Sequence, residues 1–418
     1  PRDRPASARA VLASLPGDDP LQAAVLAGET PSPEMVAAAA KVGDLTTRAA
    51  WTCLITALLG LLAITMMNGR ALFRQAPLPK PPEALVDRAR DVLARLGYPR
   101  PGADSAHGFM LDSRFIEDVR KRGSREAQAE ILRRTRPGPY LFYYRESPRP
   151  LLSNSWSPAA PWEGPARIGR VLVNEPALLD PGMTRIVLDS RGRLVRFDAV
   201  PPAYRAEGAP APEPDWPAVL TEAGFEPVSL RPGVSRWSLA VDADRRAAWD
   251  GPLAGQPDVP FHIEAAAWHG ALVSFTMRGP WVQPPPAIDS GPSQVSVALV
   301  MMVALSLAVV AAAIVLARRN LRLGRGDRRG AWRLAVFAFA SLIMANLFQA
   351  DHTALPVNEY NLLVQIVSQG IYWALLVWLC YMALEPAVRR RWPETLISWN
   401  RLLAGRFRDP LLGRDILA

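Results

Sequence analysis

Ala49–Met67 reads AAWTCLITALLGLLAITMM, 19 residues without a single charge. A helix needs about 20 apolar residues to cross a hydrocarbon core, and about 17 is the practical minimum. Three more stretches of this kind follow, at Ser296–Ala317, Leu334–Ala350 and Leu362–Leu384. The third of the four is the shortest, and Arg333 at its edge has to snorkel to the interface. Residues 68–293, between the first two stretches, have ordinary soluble composition. A multi-pass α-helical membrane protein of about four spans is expected, with a folded domain between spans one and two.

The arginines orient it. Residues 318–333 carry Arg318, Arg319, Arg322, Arg325, Arg328 and Arg329 against one acid, Asp327. Residues 385–418, after the fourth span, hold Arg389, Arg390 and Arg391, whereas 351–361 has no Lys or Arg. Short loops rich in Lys and Arg stay cytoplasmic. These nine arginines are therefore the expected topology determinants. They place both termini and the 318–333 loop in the cytoplasm, and 68–293 and 351–361 outside. Flanking charges leave span one locally undecided, with Lys41 and Arg48 on one side and Arg70 and Arg74 on the other.

The net charge of +9 sits largely in those two juxtamembrane clusters. Topology and anionic headgroups account for it, so nucleic acid is not an expected partner. Both cysteines, Cys53 and Cys380, fall inside predicted spans. The domain at 68–293 then has neither a disulfide nor a cysteine-based metal site, and folds on its core alone. No small-residue cleavage site follows the first apolar run, which reads as a signal anchor. The chain opens at Pro1 and ends in GRDILA, and is expected to be part of a longer protein.

Ahead of the first span, Arg4-Pro5-Ala6-Ser7-Ala8 leads into an amphipathic stretch ending at Leu15. This resembles the last helix of a protein kinase catalytic domain, where a P-x-x-R-P-[ST]-A sequence opens the helix. In that family the arginine, here Arg4, makes a buried ion pair with the Glu of an Ala-Pro-Glu motif. Pro1 and Arg4-Pro5 fit the frame, with Ala6-Ser7 displaced by one. The order of kinase domain, linker (here 16–48), span and outer domain is similar to that of bacterial membrane-anchored serine/threonine kinases. The resemblance covers about residues 1–40, under a tenth of the chain.

Phosphoryl transfer needs a Gly-rich phosphate loop, a strand lysine, a His-Arg-Asp catalytic loop and an Asp-Phe-Gly metal site, and the sequence spells none of them. Ala211-Pro212-Glu213 belongs to a Pro-rich linker, and Gly324 and Gly326 lie among arginines with no strand before them. The chain is therefore expected to be non-catalytic: the sensor and anchor portion of a receptor-like serine/threonine kinase in a bacterial cytoplasmic membrane. ATP and magnesium belong only to a catalytic domain preceding Pro1, and no cofactor to this chain. The alternative is a multi-span envelope protein without a kinase, such as a transport accessory or an envelope-assembly factor.

The outer domain repeats a plan. EALVDRARDVLARLGY puts Leu85, Ala89, Val92, Leu93 and Leu96 on one helical face and stops at Gly97-Tyr98; DWPAVLTEAGF does the same with Val219, Leu220 and Ala223 before Gly224-Phe225. Downstream, RIVLDSRGRLVRF and HIEAAAWHGALVSF each read as two strands around a turn glycine. Gly192, Leu194, Val195 and Phe197 align with Gly270, Leu272, Val273 and Phe275. An α+β domain of two similar lobes is expected, built from helix-plus-hairpin repeats at about 82–200 and 212–282. The first copy carries about 49 extra residues, into which the Pro/Trp-rich SPRPLLSNSWSPAAPWEGP falls.

Its histidines are His107, His262 and His269. His262 and Glu264 alternate on one strand but lack a third ligand, so a polar strand face is expected and no metal. Seven tryptophans (156, 162, 216, 237, 249, 268 and 281) read as core or core-edge residues, with a Trp-lined groove between lobes as the functional alternative. Asn346, Gln349, Gln365, Ser368 and Gln369 are placed for interhelical hydrogen bonds. Asp351, His352 and Glu359 gather at the outer interface, where water is at hand. Leu396, Trp399, Leu402 and Leu403 form one face of a tail expected to lie on the inner leaflet, with a partner-binding helix as the alternative. Expected partners are the bilayer, anionic headgroups, an extracytoplasmic ligand or peptide, and a second copy in a homodimer.

Reporter fusions check the topology: fusions within 69–293 or after Ala350 should report outside, and one within 320–329 inside. Replacing the loop arginines with glutamine should scramble the orientation of spans two to four. A cytoplasmic report from the large domain refutes the assignment.

Overall fold

The computed structural model describes residues 21, 24, 28–39, 47–67, 78–152, 169–204, 212–284 and 297–417. Arg4 and the kinase-like segment 1–15 lie outside them, as do Trp156 and Trp162. In chain order the elements begin with helices α1 (Pro33–Ala38), α2 (Thr47–Met67) and α3 (Pro82–Arg95). Strand β1 (Asp104–Leu111), helices α4 (Ser113–Arg120) and α5 (Arg125–Arg134), and strands β2 (Tyr140–Ser147), β3 (Thr184–Asp189) and β4 (Leu194–Ala199) come next. Helix α6 (Trp216–Glu222) precedes β5 (Arg231–Pro232), β6 (Arg245–Leu253), β7 (Gln256–Trp268) and β8 (Ala271–Arg278). The chain continues as α7 (Val297–Arg322), α8 (Arg328–Gln349), α9 (Pro356–Arg391), α10 (Ile397–Leu403) and α11 (Pro410–Leu417). It divides into a helical unit and an α+β unit, the latter including residues 349–362.

Helices α7, α8 and α9 are long and apolar enough to cross a membrane. In α2 the described apolar run, Trp51–Thr65, is shorter than the other three. Inside hydrocarbon a hydroxyl has no water to bond. Thr52 and Thr56 donate to the carbonyls of Arg48 and Thr52, and Ser306 and Ser368 to those of Met302 and Val364, each one turn back.

Two boundaries differ from the sequence reading. The basic 318–333 segment is mostly helical, because α7 runs on to Arg322 and α8 opens at Arg328. The Asp327 carboxylate accepts the Gly330 N–H at 2.9 Å and so caps α8. The marginal third span thus gains a charged first turn. Helix α9 is also longer than its apolar run, and its 36 residues exceed the roughly 30 Å core at 1.5 Å per residue.

Pro386 lies inside α9 and has no N–H to give the carbonyl of Met382. Asn320 on α7 fills that gap, its Nδ2 donating to Met382 O at 2.9 Å and Ala383 O at 3.1 Å. Small residues let the backbones come this close. Ala313, Ala317, Ala331 and Ala383 are buried together with Met382.

The tail is not one amphipathic helix. A 3-10 turn at Pro393–Leu396, then α10 and α11, fold back on α1, with Ile397 and Leu411 buried against Val36 and Ala39. Arg401 donates to the carbonyls of Ala37 and Ala39 and pairs with Asp409.

The α+β unit has one antiparallel sheet in the order β1-β2-β3-β4-β8-β7-β6-β5. Helices α3 and α6 pack on one face through the residues their periodicity marked, with Leu85, Ala89, Val92, Leu93, Val219, Leu220 and Ala223 all buried. Each helix ends as expected: Tyr98 N–H reaches Leu93 O, and Phe225 N–H reaches Leu220 O, both at 2.9 Å. Hairpins β3–β4 and β7–β8 turn at Gly192 (φ +85°) and Gly270 (φ +82°), conformations that disfavour side chains. Four strands rather than two follow each helix. The sheet is continuous across its middle, so no groove separates two lobes.

The seam is β4 against β8. Phe197 pairs with Phe275, flanked by Arg196 with Thr276 and Asp198 with Ser274. Both phenylalanines and Leu194 are fully buried, and Leu272 is buried. Tyr98 packs on Phe197, and its hydroxyl donates to Leu272 O.

Phe197→Ala or Phe275→Ala should cost about 3–5 kcal/mol against a typical domain stability of roughly 5–15 kcal/mol. Thermal denaturation of the full chain should show the loss. Because the two residues face each other in register across one seam, the double variant should lose less than the two single losses combined. Strict additivity would mean that the seam does not couple the halves.

Candidate functional site: the polar face of the sheet

Opposite the helices, alternation brings a different set of side chains to one surface. Register puts Arg145 beside Arg185 and Arg185 beside Asp198. Arg196 then neighbours Thr276, which neighbours Glu264, while Arg278 pairs with His262 and His262 with Asp250. A charged ladder therefore crosses six strands, from β2 to β6. Residues far apart in sequence form one surface.

Two segments strap its ends. Residues 171–176 cover one end: Arg145 donates to the carbonyls of Leu172 (2.8 Å) and Pro176 (2.6 Å), and Tyr143 to that of Val171. Arg185 donates to Val173 O and Asn174 Oδ1 and holds Asp198 at 2.7 Å. Burial, and then the neighbouring Arg185 charge, pull the Arg145 guanidinium down to about 10.

Residues 236 and 237 cover the other end. Glu264 accepts the backbone N–H groups of Arg236 (2.6 Å) and Trp237 (3.2 Å), and Arg278 lies 4.4 Å over the Trp237 ring. His262 bridges Asp250 (2.7 Å) and Glu264 (2.9 Å) through its two ring nitrogens. Burial pushes the Glu264 carboxyl up, but its bonds from Arg236, His262 and Trp237 and the charge of Arg278 hold it below the usual carboxylate range.

Between the straps, Arg196 is 45% exposed and chelates Asp198 at 2.7 Å. Thr276 beside it is half-buried. An arginine, an acid and a hydroxyl on a rigid sheet suit a polar, charged ligand such as a peptide segment.

His262 and Glu264 do share one strand face, as their spacing predicts, and their third partner is Asp250. Among the described residues no cluster of His, Cys, Asp or Glu is arranged to hold a metal. His107 meets the Phe142 ring, and His269 sits in the β7–β8 turn against Asp244. The tryptophans disperse: Trp216, Trp249 and Trp281 flank the core, Trp237 lies on the polar face, and Trp268 meets His269 edge-on.

Asp351 reaches this site. Its carboxylate accepts Val171 N–H at 2.7 Å, and its own N–H donates to Gly169 O at 3.0 Å. The first strap is thereby clasped to the α8–α9 loop. His352 pairs with Glu359, which also accepts Thr353 N–H. Nothing in the sequence flagged the strap itself, which contains no motif.

Elsewhere, Asn346 donates to Gln369 across α8 and α9, one of the interhelical bonds the polar residues implied. Of the nine basic residues, Arg318, Arg319, Arg322, Arg325, Arg328, Arg329, Arg390 and Arg391 are exposed. Arg389 is buried, paired with Glu385 at 3.1 Å and bonded to the Arg325 carbonyl. No protein-family model, curated protein or solved structure matches the chain.

Because Glu264 is held below its unfolded value, the stability it supplies is present above about pH 4 and fades as pH falls through its folded value. Glu264→Gln should therefore lower Tm at pH 7, with the gap from wild type closing towards pH 3. A gap that stays constant across that range would show that the carboxylate charge is not what holds the strap.

Proposed function

We propose that this chain is the membrane anchor and extracytoplasmic sensor of a receptor-like serine/threonine kinase, crossing a bacterial cytoplasmic membrane four times with both termini inside. The packing of α1 against the tail is the observation that carries the anchor half. Val36 and Ala39 meet Ile397 and Leu411, and Arg401 bonds the Ala37 and Ala39 carbonyls. Segments in contact share one side of a membrane, so an even number of crossings separates them. With α7, α8 and α9 as three, α2 supplies the fourth. The Asp351 clasp obeys the same parity, since two crossings separate the sheet domain from the α8–α9 loop. The arginine-rich segments then mark the cytoplasmic side.

The sensor half rests on the polar sheet face, where Arg196, Asp198 and Thr276 form an open patch between two straps for a ligand or peptide. We read the domain as two copies of a helix-plus-four-strand unit, α3 with β1–β4 and α6 with β5–β8. Phe197 and Phe275 each stand five residues past a turn glycine and pair with each other, as a twofold repeat requires. The kinase assignment is supported by Arg4-Pro5-Ala6-Ser7-Ala8 ahead of α2.

The gene upstream of the Pro1 codon tests the kinase half. An open reading frame with His-Arg-Asp and Asp-Phe-Gly motifs is expected, and a frame without them would leave the envelope-protein alternative. For the anchor half, a Val36→Cys/Ile397→Cys chain should cross-link on mild oxidation in native membranes. Failure to cross-link would break the parity argument.

A further inference from the structure

In the helical unit, a cleft of about 240 Å³ opens where the first turn of α8 meets α1 and the stretch after α10. Arg329, Arg333 and Arg406 line it together with Asn400. Asn400 is only 4% exposed, yet neither Nδ2 nor Oδ1 has a hydrogen-bond partner. A buried, unpartnered amide costs about 1–3 kcal/mol, and a ligand offering both a donor and an acceptor would relieve it. Arg333 also donates to Leu403 O, and no carboxylate pairs with Arg329 or Arg406 among the described residues. Two acids line the cleft. Asp327 is occupied by Gly330 N–H and the Tyr381 hydroxyl, and Glu34 is exposed at the rim. The balance favours an anion.

An apolar groove of about 650 Å³ continues along the same helix, between α8 and α9. Trp332, Ala335, Val336 and Phe339 supply one wall, and Leu375 and Trp378 belong to the other. These α8 positions follow the i, i+3, i+4, i+7 pattern of one helical face. Arg329 is one turn from both Trp332 and Arg333. A charged cleft and an oily groove therefore adjoin along a helix that is apolar enough to cross a membrane.

We propose that cleft and groove bind one anionic phospholipid, with the phosphate and headgroup among the three arginines and Asn400 and an acyl chain in the groove. An arginine cleft at the cytoplasmic end of a span is where such headgroups concentrate. The site rests on the membrane reading but is independent of the kinase assignment.

The test uses the full chain in nanodiscs of phosphatidylcholine alone or with phosphatidylglycerol, read by thermal unfolding and by native mass spectrometry of retained lipid. Phosphatidylglycerol should be retained and raise Tm over phosphatidylcholine. Asn400→Leu and Arg406→Gln, which leave the topology arginines intact, should each weaken that preference about tenfold. Asn400→Leu should not lower Tm in phosphatidylcholine, since it removes an unpaired buried amide. Soluble glycerol phosphate should give no shift. Equal retention of the two lipids, an undiminished preference in both variants, or full protection by glycerol phosphate alone would each overturn the lipid site. Because the Val36–Ile397 cross-link is scored separately, a wrong topology and an empty cleft give different results.

Discussion

The pairing of Phe197 with Phe275 fixes the rest of the α+β unit. Three residue pairs join β4 to β8, and the Tyr98 hydroxyl on Leu272 O and the pairs of Arg88 and Arg95 with Glu222 reinforce the join between the halves. Side chains alternate with a period of two, so a one-residue slip would turn each phenylalanine outward and drive Arg196 and Asp198 into the core. The register that buries Tyr98, Phe197 and Phe275 on one face therefore also aligns Arg185, Asp198, Arg196 and Thr276 on the other. Core and candidate site are two consequences of one alignment. The irregularities at Val187/Leu188 and Ala266/Ala267 fall near the hairpin turns, away from the seam, and leave it flat enough to pair.

The helical unit answers to a different constraint, the absence of water. Every backbone carbonyl in hydrocarbon needs a donor, and Pro386 removes one. Asn320 repairs the loss from another helix, tying α7 to α9 where small residues bring them close. Just beyond, Arg389 pairs with Glu385 and holds the Arg325 carbonyl, closing the short α7–α8 connection. A buried ion pair is weak evidence of net stability, because desolvation offsets the attraction. What it contributes here is a defined geometry: losing either partner would leave a lone charge in the interior.

Helices α3 and α6 were legible because each shows one clean apolar face and a glycine stop, and the two hairpins because they alternate around a turn glycine. Strands β1, β2, β5 and β6 were not. Residues of β2 are buried on both faces and include Arg145, so the alternation is lost. Strand β6 reads RRAAWDGPL, a composition of turns and linkers, and β5 is two residues long. The straps were invisible because their bonds are backbone carbonyls and N–H groups, which carry no sequence signal. The tail misled for a related reason: Leu396, Trp399, Leu402 and Leu403 do fall at helical spacing, but Pro393, Gly405 and Pro410 break the run. Asn320 and Asn400 acquire meaning only once their neighbours are known.

Asp351, in the α8–α9 connection, belongs to the α+β unit. Its carboxylate and its N–H hold opposite sides of the backbone at residues 169–171, a two-point clasp that fixes the strap in direction as well as position. On its far side the strap supplies the carbonyls that solvate Arg145, a guanidinium buried to 1% exposure. Lifting the strap would leave that charge without its acceptors in an environment that already disfavours it. Arg185, which pairs with Asp198, holds the same strap through Val173 O and Asn174 Oδ1. The strap is thus held from the sheet by arginine side chains and from the α8–α9 connection by Asp351, and none of these groups belongs to the phenylalanine seam. Opening the strap would cost the desolvated charge at Arg145 its acceptors, whereas opening the seam would cost the apolar burial of Phe197 and Phe275.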